Sequence, residues 1–258
     1  MGRMRTSLVL AKASLETQLQ YPLNLLGDLL LICMSLAARF VFVEAIFANT
    51  NVLAGWNSKE MTLLAIAVSI IGLGVDALSS SINQAVGHAL QGNALPVFLR
   101  PDGSLLYALL RWCKVAHAFL FLIALFLFPV AGKILGFTFA VTKAIAAMIA
   151  LLMSATICTI TLFYFLAISL WVQRHLPATY IFQQLFKFSQ IPSTLLSQKG
   201  MGILLIFPMF WVASVPTLLL LGRANDIHCY ILISALLVCL PIKIVAERAL
   251  RASTQIGG

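Results

Sequence analysis

The stretch FAVTKAIAAMIALLMSATICTITLFYFLAISLWV, residues 139–172, decides the fold because it is a long apolar segment with a single charged side chain. A transmembrane helix needs about 20 consecutive apolar residues, and this segment exceeds that length. The small residues Ala146, Ala150, Ser154 and Cys158 recur at every fourth position and so share one helical stripe. Small residues let helices approach closely in lipid. We therefore expect a spanning helix that packs tightly against the rest of the bundle or against a second copy.

The whole chain has the same apolar character. Of its 258 residues, 61% are hydrophobic and 10% are charged, whereas an ordinary globular domain has roughly 45–50% apolar and about 25% charged residues. A soluble protein of this composition could not cover its surface with polar groups. The composition excludes a soluble enzyme, a disordered tail and a disulfide-stapled secreted module. It predicts an all-α integral membrane protein.

Apolar segments separated by polar turns divide the chain into a single transmembrane domain over residues 1–258. Six spans are predicted at about 23–48, 60–82, 105–130, 139–172, 200–222 and 229–245. Pro208 and Pro216 break the fifth span in its outer half. Residues 1–21 are predicted to form an amphipathic helix on the membrane surface, with Leu15 and Leu19 on its apolar side. The polar stretches 83–104 and 173–199 are predicted as cytoplasmic loops.

The distribution of basic residues sets the predicted orientation. Cytoplasmic segments of membrane proteins are enriched in Lys and Arg. With the N-terminus inside, the inner segments hold Arg3, Arg5, Lys12, Arg100, Arg111, Lys114, Arg174, Lys187, Lys199, Lys243, Arg248 and Arg251. The outer segments hold Lys59, Lys133, Lys143 and Arg223. This asymmetry predicts that both termini are cytoplasmic. It also explains the net charge of +9 without a nucleic-acid partner.

Motifs for membrane-embedded catalysis are missing from the sequence. It contains no HExxH zinc motif, no GxSxG nucleophile motif and no GxxxxGK[ST] phosphate-binding loop. Gly72, Gly74 and Asp76 resemble the GxGD of intramembrane aspartyl proteases, but the acid stands one residue too far along. The five cysteines show no metal-ligand spacing. We predict no catalytic residue, no metal site and no disulfide.

Charged residues inside the predicted spans are the best candidates for a functional path. Asp28 and Arg39 lie in the first span and Asp76 lies in the second. A charge at mid-bilayer costs roughly 2.5–3.5 kcal/mol on insertion scales, so it normally faces protein or water. One interpretation is structural pairing of Asp28 or Asp76 with Arg111 or Lys114. The other is a polar lining for a substrate path, with Arg39 as the strongest candidate because its own helix offers it no acidic partner.

Four motifs together resemble a known family. They are YPLNLLG at 21–27, GWNSKE at 55–60, GNALPVFLRP at 92–101, and FPMF at 207–210 followed by Val215-Pro216 and Leu221-Gly222. In order and spacing, the chain resembles permease subunits of type-2 ABC exporters, in the branch described as transport-system permease components. The third motif is similar to the family's G-x-L-D-x-x-L-x-R-P loop. It departs from that loop because Pro96 and Val97 stand near the position of its usual acid.

The resemblance implies a function and partners. It implies the membrane subunit of an exporter that moves a small or amphiphilic molecule outward by alternating access in the bacterial plasma (inner) membrane. ATP and Mg would be bound by a partner ATPase present in two copies, beside a second permease that is a sister chain or another copy. A non-ATP carrier or a membrane scaffold is the alternative.

The resemblance also assigns roles to two regions of the chain. It places a coupling helix for the ATPase at about residues 85–100 and an outer gate at 208–222, which contains Pro208 and Pro216. The coupling residues that it implies are Gly92, Leu95, Phe98, Leu99 and Arg100.

Overall fold

The computed structural model describes residues 2–53, 55–91, 112–172, 177–192, 208–224 and 233. Within these ranges the secondary structure is helical, apart from an isolated β-bridge between Leu53 and Trp56. The α-helices are α1 (Gly2–Leu19), α2 (Pro22–Phe47), α3 (Ser58–Leu90), α4 (Val115–Ile134), α5 (Val141–Val172), α6 (Ala178–Lys187) and α7 (Ser214–Leu221). Short 3-10 helices cover Phe188–Gln190 and Pro208–Phe210.

Four of the described helices are long and apolar enough to cross a membrane. The stretches that meet this condition are Pro22–Phe47, Ser58–His88, Val115–Ile134 and Val141–Ile168. They correspond to the first four predicted spans. The sixth predicted span lies outside the described residues except for Ile233, and so do residues 200–207 of the fifth.

The core forms around α3 and α5. Leu63 and Ile71 of α3 and Leu151 of α5 are fully buried in this core. On the small-residue stripe, Ser154 and Cys158 are also fully buried. The stripe therefore packs inside this chain. In contrast, α2 buries little beyond Val43 and lies at the periphery of the described bundle.

The helix α1 packs through a polar face and not through its leucine stripe. Ser14 is buried against the rest of the chain, whereas Leu15 and Leu19 remain exposed. The Ser14 hydroxyl and the Gln18 amide both donate hydrogen bonds to the backbone oxygen of Cys113, each at 2.7 Å. The polar face of α1 thus ties this helix to the residues that precede α4.

Two boundaries differ from the sequence prediction near the loop between the second and third spans. The helix α3 continues to Leu90, where a loop was predicted from residue 83. It continues because Ile82 and Val86 are buried and the Asn83 amide oxygen accepts a hydrogen bond from Thr179 of α6 at 2.9 Å. Residues 83–90 are therefore helix, eight residues beyond the predicted end of the second span at about 82, and residues 92–104 of the predicted loop lie outside the described residues.

The third predicted span, 105–130, begins later in the structure. Residues 112–114 are not helical, and α4 starts at Val115 and extends to Ile134. The backbone groups before α4 have partners outside the helix: the Lys114 N–H donates to the Ala77 oxygen at 2.9 Å, and the Trp112 oxygen accepts from Ser80 at 2.8 Å. These bonds give the backbone groups of residues 112 and 114 the partners that a helix would otherwise provide, as backbone groups inside a membrane protein require.

The two prolines of the fifth segment play different structural parts. Pro208 begins the 3-10 helix, whereas Pro216 is the third residue of α7. A proline in the first turn costs no hydrogen bond, because that N–H has no partner inside the helix. Pro216 therefore does not break the helix as predicted. The interruption is the turn over residues 211–213.

Gly74 lets α3 approach both α4 and α5. A Cβ atom at this position would lie 3.0 Å from the Ala155 Cβ and 3.1 Å from the Phe121 ring. Both neighbours belong to the packed core. At Gly87, near the other end of α3, an added Cβ meets nothing within 4 Å.

We predict that Gly74→Leu destabilises the protein by about 2 kcal/mol or more, because overpacking a filled core forces the helices apart. Gly87→Leu is the matched control and is expected to be neutral or stabilising, since leucine is the better helix former. Thermal unfolding of the purified variants in detergent measures both effects. Equal stability of the two variants would contradict the close approach of helices at Gly74.

Candidate functional site

A cavity of about 290 Å³ lies between α2, α3 and the start of α4. The three charged residues that the sequence singled out, Asp28, Arg39 and Asp76, all line this cavity. Its other lining residues are Leu31, Ile32, Ser35, Ser69, Gly72, Leu73, Lys114 and His117. The cavity is therefore the place in the described bundle where polar side chains from several helices converge.

Helical periodicity explains why these residues meet. On α2 the lining positions 28, 32, 35 and 39 recur at intervals of three or four, and on α3 the positions 69, 72 and 76 do the same, with 73 beside them. Residues at such intervals share one helical face. The same pattern is the signal in the sequence that could have found Ser35 and Ser69, which stand seven residues from Asp28 and Asp76 respectively.

An ion pair joins two walls of the cavity. The Lys114 Nζ lies 3.1 Å from the Asp28 Oδ2, and the two side chains are 38% and 35% exposed. This is one of the structural pairings that the sequence left open. Arg111, the other basic residue considered there, lies outside the described residues. Asp28 is thus both a cavity residue and an ion-pair partner.

Arg39 and Asp76 have no such partner in the described part of the chain. The Arg39 Nη1 is buried without a hydrogen bond, and the Asp76 carboxylate accepts none from the described residues. His117, which sequence reasoning missed, is a buried imidazole on the same cavity wall.

The opposite end of the bundle from α1 holds a second ion pair. The Arg223 guanidinium, just after α7, lies 2.8 Å from the Glu60 Oε1 in the first turn of α3. Glu60 is buried, and its other carboxylate oxygen accepts the Asn57 N–H at 3.1 Å. The backbone turns into this contact at Gly222, whose φ of 70° is left-handed and favours glycine. The pair thus ties the end of α7 to the start of α3.

The His, Cys, Asp and Glu side chains of the described residues are spread over the bundle. No three His, Cys, Asp or Glu side chains cluster there in a way that could hold a metal ion. Burial raises the pKa of the Cys113 thiol, so this side chain stays protonated and is a poor nucleophile. What the described residues do bring together is the set of charged side chains that line the cavity.

A family model described as ABC-2 family transporter protein matches residues 33–256, which is most of the chain. The chain belongs to this family. It is therefore a multi-pass membrane protein and a membrane permease of an ABC-type system, as the resemblance of its motifs indicated. Permeases of this family are generally non-catalytic membrane subunits, and membership implies partnership with an ABC ATPase. Searches of curated proteins and of solved structures gave no match.

The permease residues assigned to ATPase coupling all lie outside the described residues. They are Gly92, Leu95, Phe98, Leu99 and Arg100. The described chain stops at Gln91, directly after α3, and resumes at Trp112, directly before α4. Along the sequence, the assigned residues therefore lie between α3 and α4. Their role in coupling stays a prediction.

We predict that Asp28→Asn and Lys114→Gln are non-additive in this permease, because each breaks the same ion pair. The coupling energy should be about 0.5–1 kcal/mol, a value discounted because both side chains are about a third exposed. The control cycle is Lys12→Gln with Glu16→Gln, a pair at 3.7 Å that is 77% and 59% exposed, for which no coupling is expected. Thermal unfolding of the single and double variants measures both cycles, and additivity at Asp28–Lys114 would contradict the pairing.

Proposed function

We propose that this permease is the membrane-spanning subunit of an exporter that moves a small or amphiphilic molecule outward by alternating access. ATP and Mg bind to a separate ATPase subunit, present in two copies, and a second permease completes the transporter. The observation that carries this proposal is the convergence of Asp28, Arg39 and Asp76 on one cavity inside a bundle of membrane-length helices. Charged groups in such helices are expensive and usually mark substrate or ion pathways.

The contacts around α4 support a route from the ATPase to the cavity. The segment between α3 and α4 contains the residues assigned to coupling, and it ends at Trp112–Lys114. There the Cys113 oxygen is held by α1, and the Lys114 N–H is bonded to α3. The Lys114 side chain in turn reaches Asp28 in the cavity wall. A displacement of this segment by the ATPase would therefore act directly on a residue that lines the cavity.

The other end of the bundle supports a gate that an ion pair holds closed. The helix α7 is short, and Pro216 lies in its first turn. Its end is fastened to α3 through the Arg223–Glu60 pair, in which Arg223 is exposed and Glu60 is buried. Separating the pair leaves the buried carboxylate without its cation, so the pair opposes opening. In this proposal the segment containing Pro208 and Pro216 is the outer gate, and the ion pair holds it closed.

We predict that Leu95→Asp combined with Phe98→Asp abolishes coupling to the ATPase, because apolar anchors dominate most interfaces. The full chain, affinity-purified from its own membranes, should bring down an ATPase with a phosphate-binding loop. The double variant should retain about a tenth of that ATPase or less. Val52→Asp, an exposed apolar residue at the opposite end of the bundle, is the matched control and should retain all of it.

Three outcomes would contradict the proposal or its docking site. If the double variant keeps both the ATPase and substrate-stimulated hydrolysis, the docking site lies elsewhere in the chain. If no ATPase accompanies the wild-type chain and transport proceeds without ATP, the permease is a carrier and the exporter assignment fails. ATP hydrolysis by the rigorously purified single chain would also contradict the assignment.

A further inference from the structure

The cavity keeps one cation and one anion after its internal ion pair is formed. Asp28 and Lys114 neutralise each other at 3.1 Å. Arg39 and Asp76 are left, and in the described part of the chain neither side chain has an ion-pair or hydrogen-bond partner. A guanidinium keeps its charge at any physiological pH because it is a very strong base. Among the described residues, the cavity therefore presents two charges of opposite sign without a partner.

These two charges lie toward different ends of the cavity. Lys114 contacts both Asp28 and the oxygen of Ala77, which sets Asp28 at the level of Asp76 on α3. Arg39 stands eleven residues beyond Asp28, or about 16 Å along a helix that rises 1.5 Å per residue. The guanidinium and the free carboxylate are thus held apart, with the cavity between them.

The size and rim of the cavity limit what can occupy it. A volume of about 290 Å³ is at the lower end of the roughly 300–1,000 Å³ typical of ligand pockets. It has room for a head group or a small solute and not for a whole lipid. Leu31 lines the cavity while 65% of its area is exposed. The cavity thus borders an apolar surface of α2 along which an alkyl chain could lie.

Building on the proposed function, we propose that the transported molecule carries a zwitterionic group. Its carboxylate or phosphate binds the Arg39 guanidinium, and its amine lies toward the Asp76 carboxylate. Each charge of the ligand then supplies a partner that the described residues do not, and the ligand brings no net charge into the cavity. The zwitterion is either a free solute or the head group of an amphiphile, and the two differ in their need for the exposed α2 surface.

Native mass spectrometry of the full chain in detergent tests this assignment through binding constants. The probes share one acyl chain: lysophosphatidylethanolamine as the zwitterion, lysophosphatidic acid as the anion, a long-chain amine as the cation and a monoacylglycerol as the neutral control. Wild type should bind the zwitterion about tenfold or more tightly than any other probe, because hydrogen bonds to charged groups are the strong ones. Glycerophosphoethanolamine is the head group without its acyl chain, and it distinguishes a free solute from an amphiphile. Binding as tight as that of lysophosphatidylethanolamine indicates a free solute, and weaker binding indicates an amphiphile.

The variants distinguish the two ends of the site. Arg39→Gln should weaken binding of the zwitterion and the anion by about tenfold or more and leave the amine unchanged. Asp76→Asn should do the reverse, weakening the zwitterion and the amine. Arg39→Lys keeps the charge and should retain most of the anion binding. Lys133→Gln removes an exposed charge outside the cavity and should change nothing.

The proposal fails if wild type shows no preference for the zwitterion. This comparison uses the wild-type chain alone, so it holds even if a variant does not fold. It also fails if each variant weakens all probes equally, which is the signature of a structural role. These measurements need no ATPase, so a negative result leaves the exporter assignment standing. If no ATPase co-purifies with the wild-type chain, the exporter assignment is refuted and the binding result is unaffected.

Discussion

Lys114 is the point on which the arrangement of the described helices depends. Its N–H bonds to Ala77 of α3, and its ammonium pairs with Asp28 of α2. The oxygen of the preceding residue, Cys113, receives two hydrogen bonds from α1. In lipid, every backbone polar group must find its partner inside the protein. Three helices are therefore fixed around the first residues of α4 by polar contacts, whereas α3 and α5 are joined by close apolar packing.

This contrast accounts for the position of the cavity. The helices α3 and α5 pack closely at small residues such as Gly74 and Ala155, and they leave little space between them. The helix α2 buries few side chains and is held near one end by Asp28. A wall that is fastened by an ion pair and not by packing can move at modest cost, since partly exposed pairs are weak. Movement of a cavity wall is what alternating access requires.

Sequence reasoning predicted the apolar architecture well and the polar contacts only in part. Long apolar runs gave the four described membrane-length helices, because hydrophobic length alone decides whether a helix spans. The continuation of α3 to Leu90 was missed, since Asn83 appears as a loop residue until its partner Thr179 is known. The pairing of Asp28 with Lys114 was one of several left open. His117 was missed because nothing local in the sequence shows which wall a lone histidine faces.

The most direct test of the account asks whether the cavity opens alternately to water on the two sides of the membrane. Ser35→Cys lines the cavity, and Met34→Cys, its neighbour, lies outside that lining with 67% of its area exposed. Each is made in a chain whose native cysteines are replaced, and each is labelled by a membrane-impermeant thiol reagent in the assembled transporter. We expect labelling of Ser35→Cys from the cytoplasmic side without ATP and from the outer side with ATP trapped, and none of Met34→Cys. Labelling of Ser35→Cys that is absent from both sides, or unaffected by ATP, would contradict a translocation path through this cavity.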